Sequence, residues 1–294
     1  MLLEPRSVKL TTRTGIEIRR TLPNARKRMI GAWAFVDHFG PTPQTDGMVV
    51  AAHPHTGLQT ATWLFEGRIE HRDSIGTIQH IEPGQLNLMT AGHGIAHSEL
   101  SQPGAKHLHA VQLWIALPES AIDTAPAFEH VRDLPTVELG HASVKVFAGS
   151  MLGQTAPTTI FSPLVGAEVR VPAGTSLRLP VDANFEHGVM IAQGSATVNG
   201  VFVKQELTEY LEPGASEILI TAEGQDLIAV LLGGQPFAEP IVMWWNFIAR
   251  SHEQIVEQRE QWNNRDPRFG EFEDHIGGWI PAPELPNVIL RARN

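Results

Sequence analysis

Two histidines one residue apart, His53 and His55 in the stretch HPHTG, are the residues whose types and spacing first suggest chemistry. The stretch LQTATWLFEGRIEH follows them and is patterned like a β-strand. In an extended strand, residues i and i+2 share a face and lie about 6 to 7 Å apart, so both imidazoles can reach one ion. Because isolated His-x-His pairs also occur as ordinary hydrogen-bonded or exposed histidines, this pair indicates only half of a metal site.

A second pair with the same spacing, His97 and Glu99, lies in AGHGIAHSEL. About three short strands separate the two pairs, which is enough chain for the second to return beside the first across a barrel. Three imidazoles and one carboxylate suit a divalent iron, manganese, nickel, copper or zinc ion. An octahedral ion held by four protein ligands would keep two open positions. His107 and His109 in HLHAVQLW satisfy the same spacing rule, and spacing alone does not reject them.

Composition limits the alternatives. The chain has 294 residues and no cysteine, so thiolate zinc sites, iron-sulfur clusters, disulfides and cysteine nucleophiles are excluded. The formal net charge is −10 without a basic cluster, which argues against direct binding of nucleic acid. No apolar run is long enough to span a bilayer, and the first residues lack the pattern of a secretion signal. We therefore expect a cytoplasmic protein that does not bind a membrane.

The segments that must position these residues read as short β-strands separated by Gly, Pro and Asp turns, from about residue 8 to 117. A proline-punctuated stretch at about 117–139 is the best linker candidate, and a second series of strands follows it. WLFEGRIEH with IEPGQLNLMTAG also resembles MIAQGSATVNG with LEPGASEILITAEG, which indicates two copies of one sandwich or barrel. Ser251 as N-cap with Gln254 three residues later predicts one helix near the C-terminus, followed by an irregular tail.

Three linked motifs, HPHTGLQTATWLFEGRIEHRDSIG, IEPGQLNLMTAGHGIAHSE and LHAVQLWIALP, resemble the signature of the pirin family, which are bicupins of the cupin superfamily. The resemblance is dense through residues 33–117 and looser through GSATVNG and GGQPFAEPIVMWWNFI. It implies an all-β protein made of two tandem cupin barrels, of the double-stranded β-helix or jelly-roll type, with a short C-terminal helix. The predicted domains are a metal-binding cupin at 1–140 and a cupin without metal at 141–294, which includes the helix and tail.

Carried over position by position, the resemblance places the metal ligands on His53, His55, His97 and Glu99, and so favours His97 and Glu99 over the pair at 107 and 109. Glu99 is also the candidate catalytic base. The expected metal is iron(II), with manganese, nickel, copper or zinc as alternatives.

Three positions near this site depart from the family pattern. Thr56 stands where the family often has arginine, Gln59 where the first cupin motif usually has an acidic residue, and His93 where AGRG has arginine. These three residues, together with His109, are the candidates for a role beside the metal or in the pocket. They leave the choice of substrate open.

The resemblance to bacterial pirins of the quercetin 2,3-dioxygenase type implies an oxidoreductase that opens a flavonol ring with O₂ and releases carbon monoxide. Its partners would be a small aromatic, flavonol-like substrate and O₂. The alternative is a metal-dependent regulatory or partner-binding protein, a transcriptional or metabolic-enzyme co-regulator, with little or no catalysis. Nothing in the residues excludes that alternative.

Other conspicuous residues have structural interpretations at this stage. His71 and His80 lie near turns and are expected to be hydrogen-bonded scaffold. The tryptophans at 63, 114, 244 and 245 are expected in the core or at a domain interface. In the second half, NFEHGVM offers only Glu186 and His187, which are adjacent and so lie on opposite strand faces.

Overall fold

The structure is a computed structural model that describes residues 1–9, 17–43, 48–102, 104, 107–272 and 278–293. The parts of the predicted β segments that fall on 10–16 and 44–47 lie outside the described residues. In chain order the first strands are β1 (Leu2–Leu3), β2 (Arg6–Lys9), β3 (Glu17–Leu22), β4 (Trp33–Pro43), β5 (Val49–His55), β6 (Leu58–Glu66), β7 (Ile69–Asp73), β8 (Ile78–Ile81), β9 (Leu86–Thr90), β10 (Ile95–Ser101), β11 (His107–Ala116) and β12 (Ala127–Val131).

The later strands are β13 (Thr136–Leu139), β14 (Ala142–Met151), β15 (Gln154–Thr155), β16 (Leu164–Val171), β17 (Ser176–Pro180), β18 (Glu186–Gln193), β19 (Ala196–Val198), β20 (Val201–Val203), β21 (Thr208–Leu211), β22 (Glu217–Ala222), β23 (Leu227–Gly234), β24 (Val242–Trp244) and β25 (Phe247–Ala249). The helix α1 spans His252–Asn263, and single 3₁₀ turns span Glu119–Ala121 and Pro267–Phe269. The prediction of an all-β chain with one short helix near the C-terminus is confirmed.

The chain forms two compact units, each assembled from separate stretches. The first unit comprises Met1–Val8, Arg19–His38 and Val131–Phe237, and the second comprises Lys9–Ile18, Phe39–His130 and Ala238–Asn294. The predicted division near residue 140 stays a prediction; in the compact units, residues 238–293 belong with the first metal motif. The predicted linker at about 117–139 carries β12 and β13, and the chain changes unit between His130 and Val131.

Each unit contains a large antiparallel sheet and a four-stranded sheet. In the second unit these are β12-β9-β6-β11-β4 and β5-β10-β7-β8. In the first unit they are β1-β21-β18-β23-β16-β14-β13, with β15 paired to β14, and β17-β22-β19-β20. The central strand β6 is buried along its first seven residues, whereas β17 alternates between exposed and buried residues. A strand with both faces covered is buried at successive residues, and a strand with one wet face alternates between buried and exposed residues.

The internal repeat in the sequence corresponds to equivalent hairpins in the two units. Gly67 lies between β6 and β7 with φ +104°, and Gly194 lies between β18 and β19 with φ +85°. A Cβ at Gly67 would lie 2.8 Å from the side chain of Leu108, so both backbone angle and space require glycine there. A glycine with a positive φ therefore precedes the second strand of the hairpin in both units.

The C-terminal segment packs within the second unit. Ser251 caps α1 by accepting a hydrogen bond from the backbone N–H of Gln254, and the Gln254 side chain completes the capping box, as the sequence predicts. One apolar cluster contains Ala96 of β10 together with Phe247, Trp262 and Phe269 of the C-terminal segment. Burial of these aromatic side chains explains why the segment lies with the first metal motif rather than with the chain that precedes it. No helix of the described residues is long and apolar enough to cross a membrane.

Candidate metal centre

The two predicted ligand pairs lie on neighbouring strands of the four-stranded sheet in the second unit. β5 and β10 pair antiparallel, with His97 opposite His53 and Ile95 opposite His55. The register shifts by one residue between His97 and Glu99, and the extra residue lies on β5, since His97 faces His53 whereas Glu99 faces Val50. The two strands that carry the pairs are therefore hydrogen-bonded neighbours. The spacing in the sequence required only that the second pair return beside the first across a barrel.

Three imidazoles converge at this point of the sheet. Ligand nitrogens of His53, His55 and His97 lie within 4.8 Å of one another. The ring centroids of His53 and His97 are 4.3 Å apart, and Nε2 of His55 lies 3.1 Å from Nε2 of His97. Since metal–imidazole bonds are about 2.0–2.1 Å, two nitrogens on one ion lie about 3 Å apart. The observed nitrogen separation fits a shared ion.

The other ring nitrogen of each of these histidines has a partner. Nδ1 of His53 donates to the carbonyl of Ala51 at 2.8 Å, and Nδ1 of His55 donates to the carbonyl of Asn246 at 3.2 Å. A carbonyl can only accept, so the proton of each neutral ring lies on Nδ1 and Nε2 carries a lone pair. Trp114 packs edge-on against His55 with ring centroids 5.0 Å apart.

Burial keeps these rings uncharged. Desolvation lowers the pKa of His53 to about 4, and lowers the pKa of His55 and His97 well below the usual value, with neighbouring histidines adding to the effect. Neutral imidazole is the form that binds a metal ion. Three uncharged nitrogen donors held close together in a buried site are therefore a donor set that fits a divalent transition metal.

Glu99 lies in a second, overlapping group. Ligand atoms of His71, His97 and Glu99 lie within 4.8 Å of one another, so His97 belongs to both groups. The four predicted ligands are not all within 4.8 Å of one another, because Glu99 lies with His71 and His97 rather than with His53 and His55. Burial raises the pKa of Glu99, while His71 and a hydrogen bond from Thr62 oppose that rise.

The remaining predicted residues lie around this site in different environments. Thr56 is buried and donates its hydroxyl to Oε1 of Gln258 on α1 at 2.9 Å. Gln59 is buried on β6 and donates to the hydroxyl of Thr90 at 2.9 Å. The backbone carbonyl of His93 accepts from Nε of Arg268 at 2.5 Å. Thr56 and His93 therefore both contact the C-terminal segment.

The rival pair on β11 is separated from these imidazoles. His107 is exposed and faces Glu66 at 3.2 Å. His109 is buried with its ring 4.7 Å from that of Phe65. Within the part of the chain that the structure describes, neither residue belongs to a group of three ligand atoms close enough to hold an ion.

Sequence reasoning assigned His71 to the scaffold and did not single out Asp73. In the structure Nε2 of His71 lies 3.0 Å from Oδ2 of Asp73, and Nδ1 of His71 lies 3.4 Å from Nδ1 of His97. The signal that could have found them is the His-x-Asp spacing in EHRD, which matches the i, i+2 rule used for the other pairs.

Comparison with known proteins identifies the family. The Pirin family profile matches residues 15–115, and the profile of the Pirin C-terminal cupin domain matches residues 166–270. The chain belongs to the pirin family. A candidate quercetin 2,3-dioxygenase from Pseudomonas aeruginosa is 42% identical over 92% of this chain and 87% of its own. A pirin-like protein of Caulobacter vibrioides is 34% identical over 91% of this chain and 94% of its own.

A solved crystal structure matches nearly the whole chain. The crystal structure of quercetin 2,3-dioxygenase from Acinetobacter baumannii superimposes with a TM-score of 0.94 and 44% identity, covering 99% of this chain and 97% of that one. The prediction of two cupin domains is confirmed by this match and by the two pirin profiles.

The second cupin of this pirin holds Glu186 and His187 at the start of β18 in the first unit. The carboxylate of Glu186 accepts from Lys27 Nζ, the Gly31 N–H and the Tyr210 hydroxyl at 2.5, 2.5 and 2.7 Å. His187 is buried, and neither of its ring nitrogens has a hydrogen-bond partner among the residues that the structure describes. The absence of a metal from this domain stays a prediction.

Proposed function

We propose that this pirin is a metal-dependent dioxygenase that cleaves a flavonol with O₂ and releases carbon monoxide. The observation that carries the proposal is the convergence of three imidazoles whose Nδ1 atoms are engaged and whose Nε2 atoms face a common point, 3.1 Å apart for His55 and His97. Two lone pairs held that close repel each other unless a cation lies between them. The relatives named as quercetin 2,3-dioxygenases support the choice of reaction.

His53, His55 and His97 would hold the ion, and Glu99 would be its carboxylate neighbour through the group that it shares with His97. We propose iron(II) first, with manganese, nickel, copper or zinc as alternatives. A bound divalent ion supplies Lewis acidity, which makes the 3-hydroxyl of a flavonol more acidic and its ring more reactive toward O₂.

Glu99 is the group positioned to accept the proton of that hydroxyl on a carboxylate oxygen. Because burial raises the pKa of Glu99, its carboxylate is a better proton acceptor than an exposed one. The residues of the site exclude water, since His55 and His97 are each only 1% exposed. Exclusion of water protects reactive species and strengthens electrostatic interactions in the site.

The decisive experiment compares His97→Ala with His107→Ala, which removes the exposed histidine of the rival pair. Protein purified without chelators is analysed for metals, then loaded anaerobically and assayed for flavonol loss with detection of carbon monoxide. We expect about one ion per wild-type chain, loss of ion and turnover in His97→Ala, and retention of both in His107→Ala. Absence of a stoichiometric metal from the wild type, or no turnover by its iron, manganese, nickel or copper forms, would refute the proposal.

A further inference from the structure

A buried row of polar side chains continues from the metal centre into the sheet. His97 on β10 is followed by His71 and then Asp73 on the neighbouring strand β7, with contacts of 3.4 and 3.0 Å between successive side chains. His97 is 1%, His71 3% and Asp73 4% exposed, so the row is shielded from solvent. Phe128 stacks on the ring of His71 with centroids 4.5 Å apart and holds it in plane.

The hydrogen-bond directions along this row follow from Asp73. Its Oδ1 accepts the backbone N–H groups of Ile75 and Thr77 at 3.1 and 2.9 Å, and its Oδ2 faces Nε2 of His71. A carboxylate only accepts, so the single N–H of a neutral His71 ring lies on Nε2 and its Nδ1 is an acceptor. Nδ1 of His97 must then be the donor across the 3.4 Å contact.

We propose that Asp73 and His71 are positioning residues that fix His97 in the tautomer with its proton on Nδ1 and its Nε2 free for a metal ion. This inference rests on the proposed metal centre. The backbone carbonyls of Ala51 and Asn246 do the same for His53 and His55. At His97 two side chains, His71 and Asp73, take the place of the carbonyl, and we call them the relay. Because both can be substituted, the tautomer of His97 can be tested by mutation. Groups that orient the outer nitrogen of a metal-binding histidine set its geometry and basicity.

Asp73→Asn tests the relay with a nearly isosteric change. The amide oxygen is expected to keep the two backbone N–H bonds, which turns the amide NH₂ toward Nε2 of His71. That nitrogen must then accept, the ring proton moves to Nδ1, and two donors would face each other unless His97 moves its own proton to Nε2. We expect Ni²⁺ affinity, measured by competition with a chromophoric chelator, to fall about 10- to 100-fold.

Glu70→Gln is the matched control, since it makes the same chemical change on β7 at a carboxylate bonded to Arg72. We expect its Ni²⁺ affinity to stay within about twofold of the wild type, in keeping with the weak contribution of ion pairs outside the site. Circular dichroism and urea unfolding of the metal-free forms verify that Asp73→Asn and Glu70→Gln are folded.

Two substitutions of His71 separate orientation from direct ligation. His71→Phe keeps the ring against Phe128 but offers no acceptor, so we expect the same loss as in Asp73→Asn. His71→Asn places a carbonyl oxygen near the former Nδ1 and should restore most of the affinity. In the His71→Phe background, Asp73→Asn should add no further loss, because the relay is already broken.

Pulsed electron paramagnetic resonance of the Cu²⁺-loaded proteins counts the bound imidazoles and provides a readout that a merely structural role would not change. We expect the wild type and His71→Asn to show the same number. Wild-type affinity in Asp73→Asn would overturn the inference, as would one imidazole fewer in His71→Asn, which would make His71 a ligand. Failure of the wild type to bind Ni²⁺ would instead refute the proposed metal centre.

Discussion

At the scale of single residues, the site is organised by what each histidine does with its second nitrogen. Nδ1 of His53 and Nδ1 of His55 each face a backbone carbonyl. Nδ1 of His97 faces the His71–Asp73 pair instead. Glu99 differs from them, since it lies in a group with His71 and His97 and accepts a hydrogen bond from Thr62. Its position suggests a function in proton transfer that can be separated from holding the ion.

Glu99→Gln tests that separation. The amide is isosteric but cannot accept a proton, so we expect flavonol turnover to fall by about 10²- to 10⁴-fold. The three imidazoles remain, so metal content should fall less than in His97→Ala. Anaerobic loading, metal analysis and the carbon monoxide assay provide the two quantities. Turnover at the wild-type rate in Glu99→Gln would show that another group accepts the proton.

At the scale of elements, the C-terminal segment completes a site whose proposed ligands all come from β5 and β10. Asn246, in the turn between β24 and β25, receives the N–H of His55, and Gln258 of α1 receives the hydroxyl of Thr56. The backbone N–H of Ile248 also bonds to the carbonyl of Thr56. Thr56, which follows the first motif, is therefore fixed from two directions by chain about 200 residues later.

Thr56→Val measures how much the hydrogen bond between Thr56 and Gln258 contributes to stability. Valine keeps the shape but removes the hydroxyl, leaving Oε1 of the buried Gln258 without its donor. We expect the free energy of unfolding to fall by about 1–3 kcal/mol, measured by urea denaturation of the metal-free protein. Thr56→Ser retains the hydroxyl and should recover most of that loss. If serine is no more stable than valine, the hydrogen bond is not what stabilises this position.

At the scale of the whole molecule, acid sensitivity is expected from histidines that folding buries in the neutral form. His187 in the first unit illustrates this away from the metal centre. Burial lowers its pKa to about 4, and Asp182 and Glu186 oppose that shift. Between pH 6.5 and about 4 the unfolded chain thus binds more protons at this residue than the folded chain does. Folding stability must therefore fall as the pH drops through that window, and the contribution of His187 is constant above it.

His187→Leu should reduce this acid sensitivity, because leucine cannot be protonated. We expect the loss of unfolding free energy between pH 6.5 and 4 to shrink by up to about 3 kcal/mol relative to the wild type. Urea unfolding of the metal-free proteins at pH 4, 5, 6.5 and 8 gives the two curves. Parallel curves for wild type and variant across this range would contradict the assignment.

Residue spacings in the sequence indicated which side chains of the site share a strand face. The organisation of the two units depended instead on long-range packing. The i, i+2 rule placed His53 with His55, and the capping pattern at Ser251 marked the start of α1. The register shift between β5 and β10 beside Glu99 has no local signature in the sequence, because it arises from strand pairing.

The position of residues 238–293 was not predictable in the same way. Phe247, Trp262 and Phe269 read as generic apolar residues, and only their packing against Ala96 assigns them to the second unit. The His-x-Asp spacing in EHRD is a local signal for His71, but the contact of His71 with His97 arises from the pairing of β7 with β10.

The late position of Asn246 in the chain has a consequence for biosynthesis. During synthesis, His53, His55 and His97 emerge from the ribosome long before Asn246, whose carbonyl orients His55, has been added to the chain. Likewise β1, at the first residues of the chain, waits for its partner β21 at Thr208–Leu211. Domains made of one continuous stretch can fold in order as they emerge, but these two units cannot. We therefore expect metal acquisition to be a post-translational event, confined to chains whose synthesis is nearly complete.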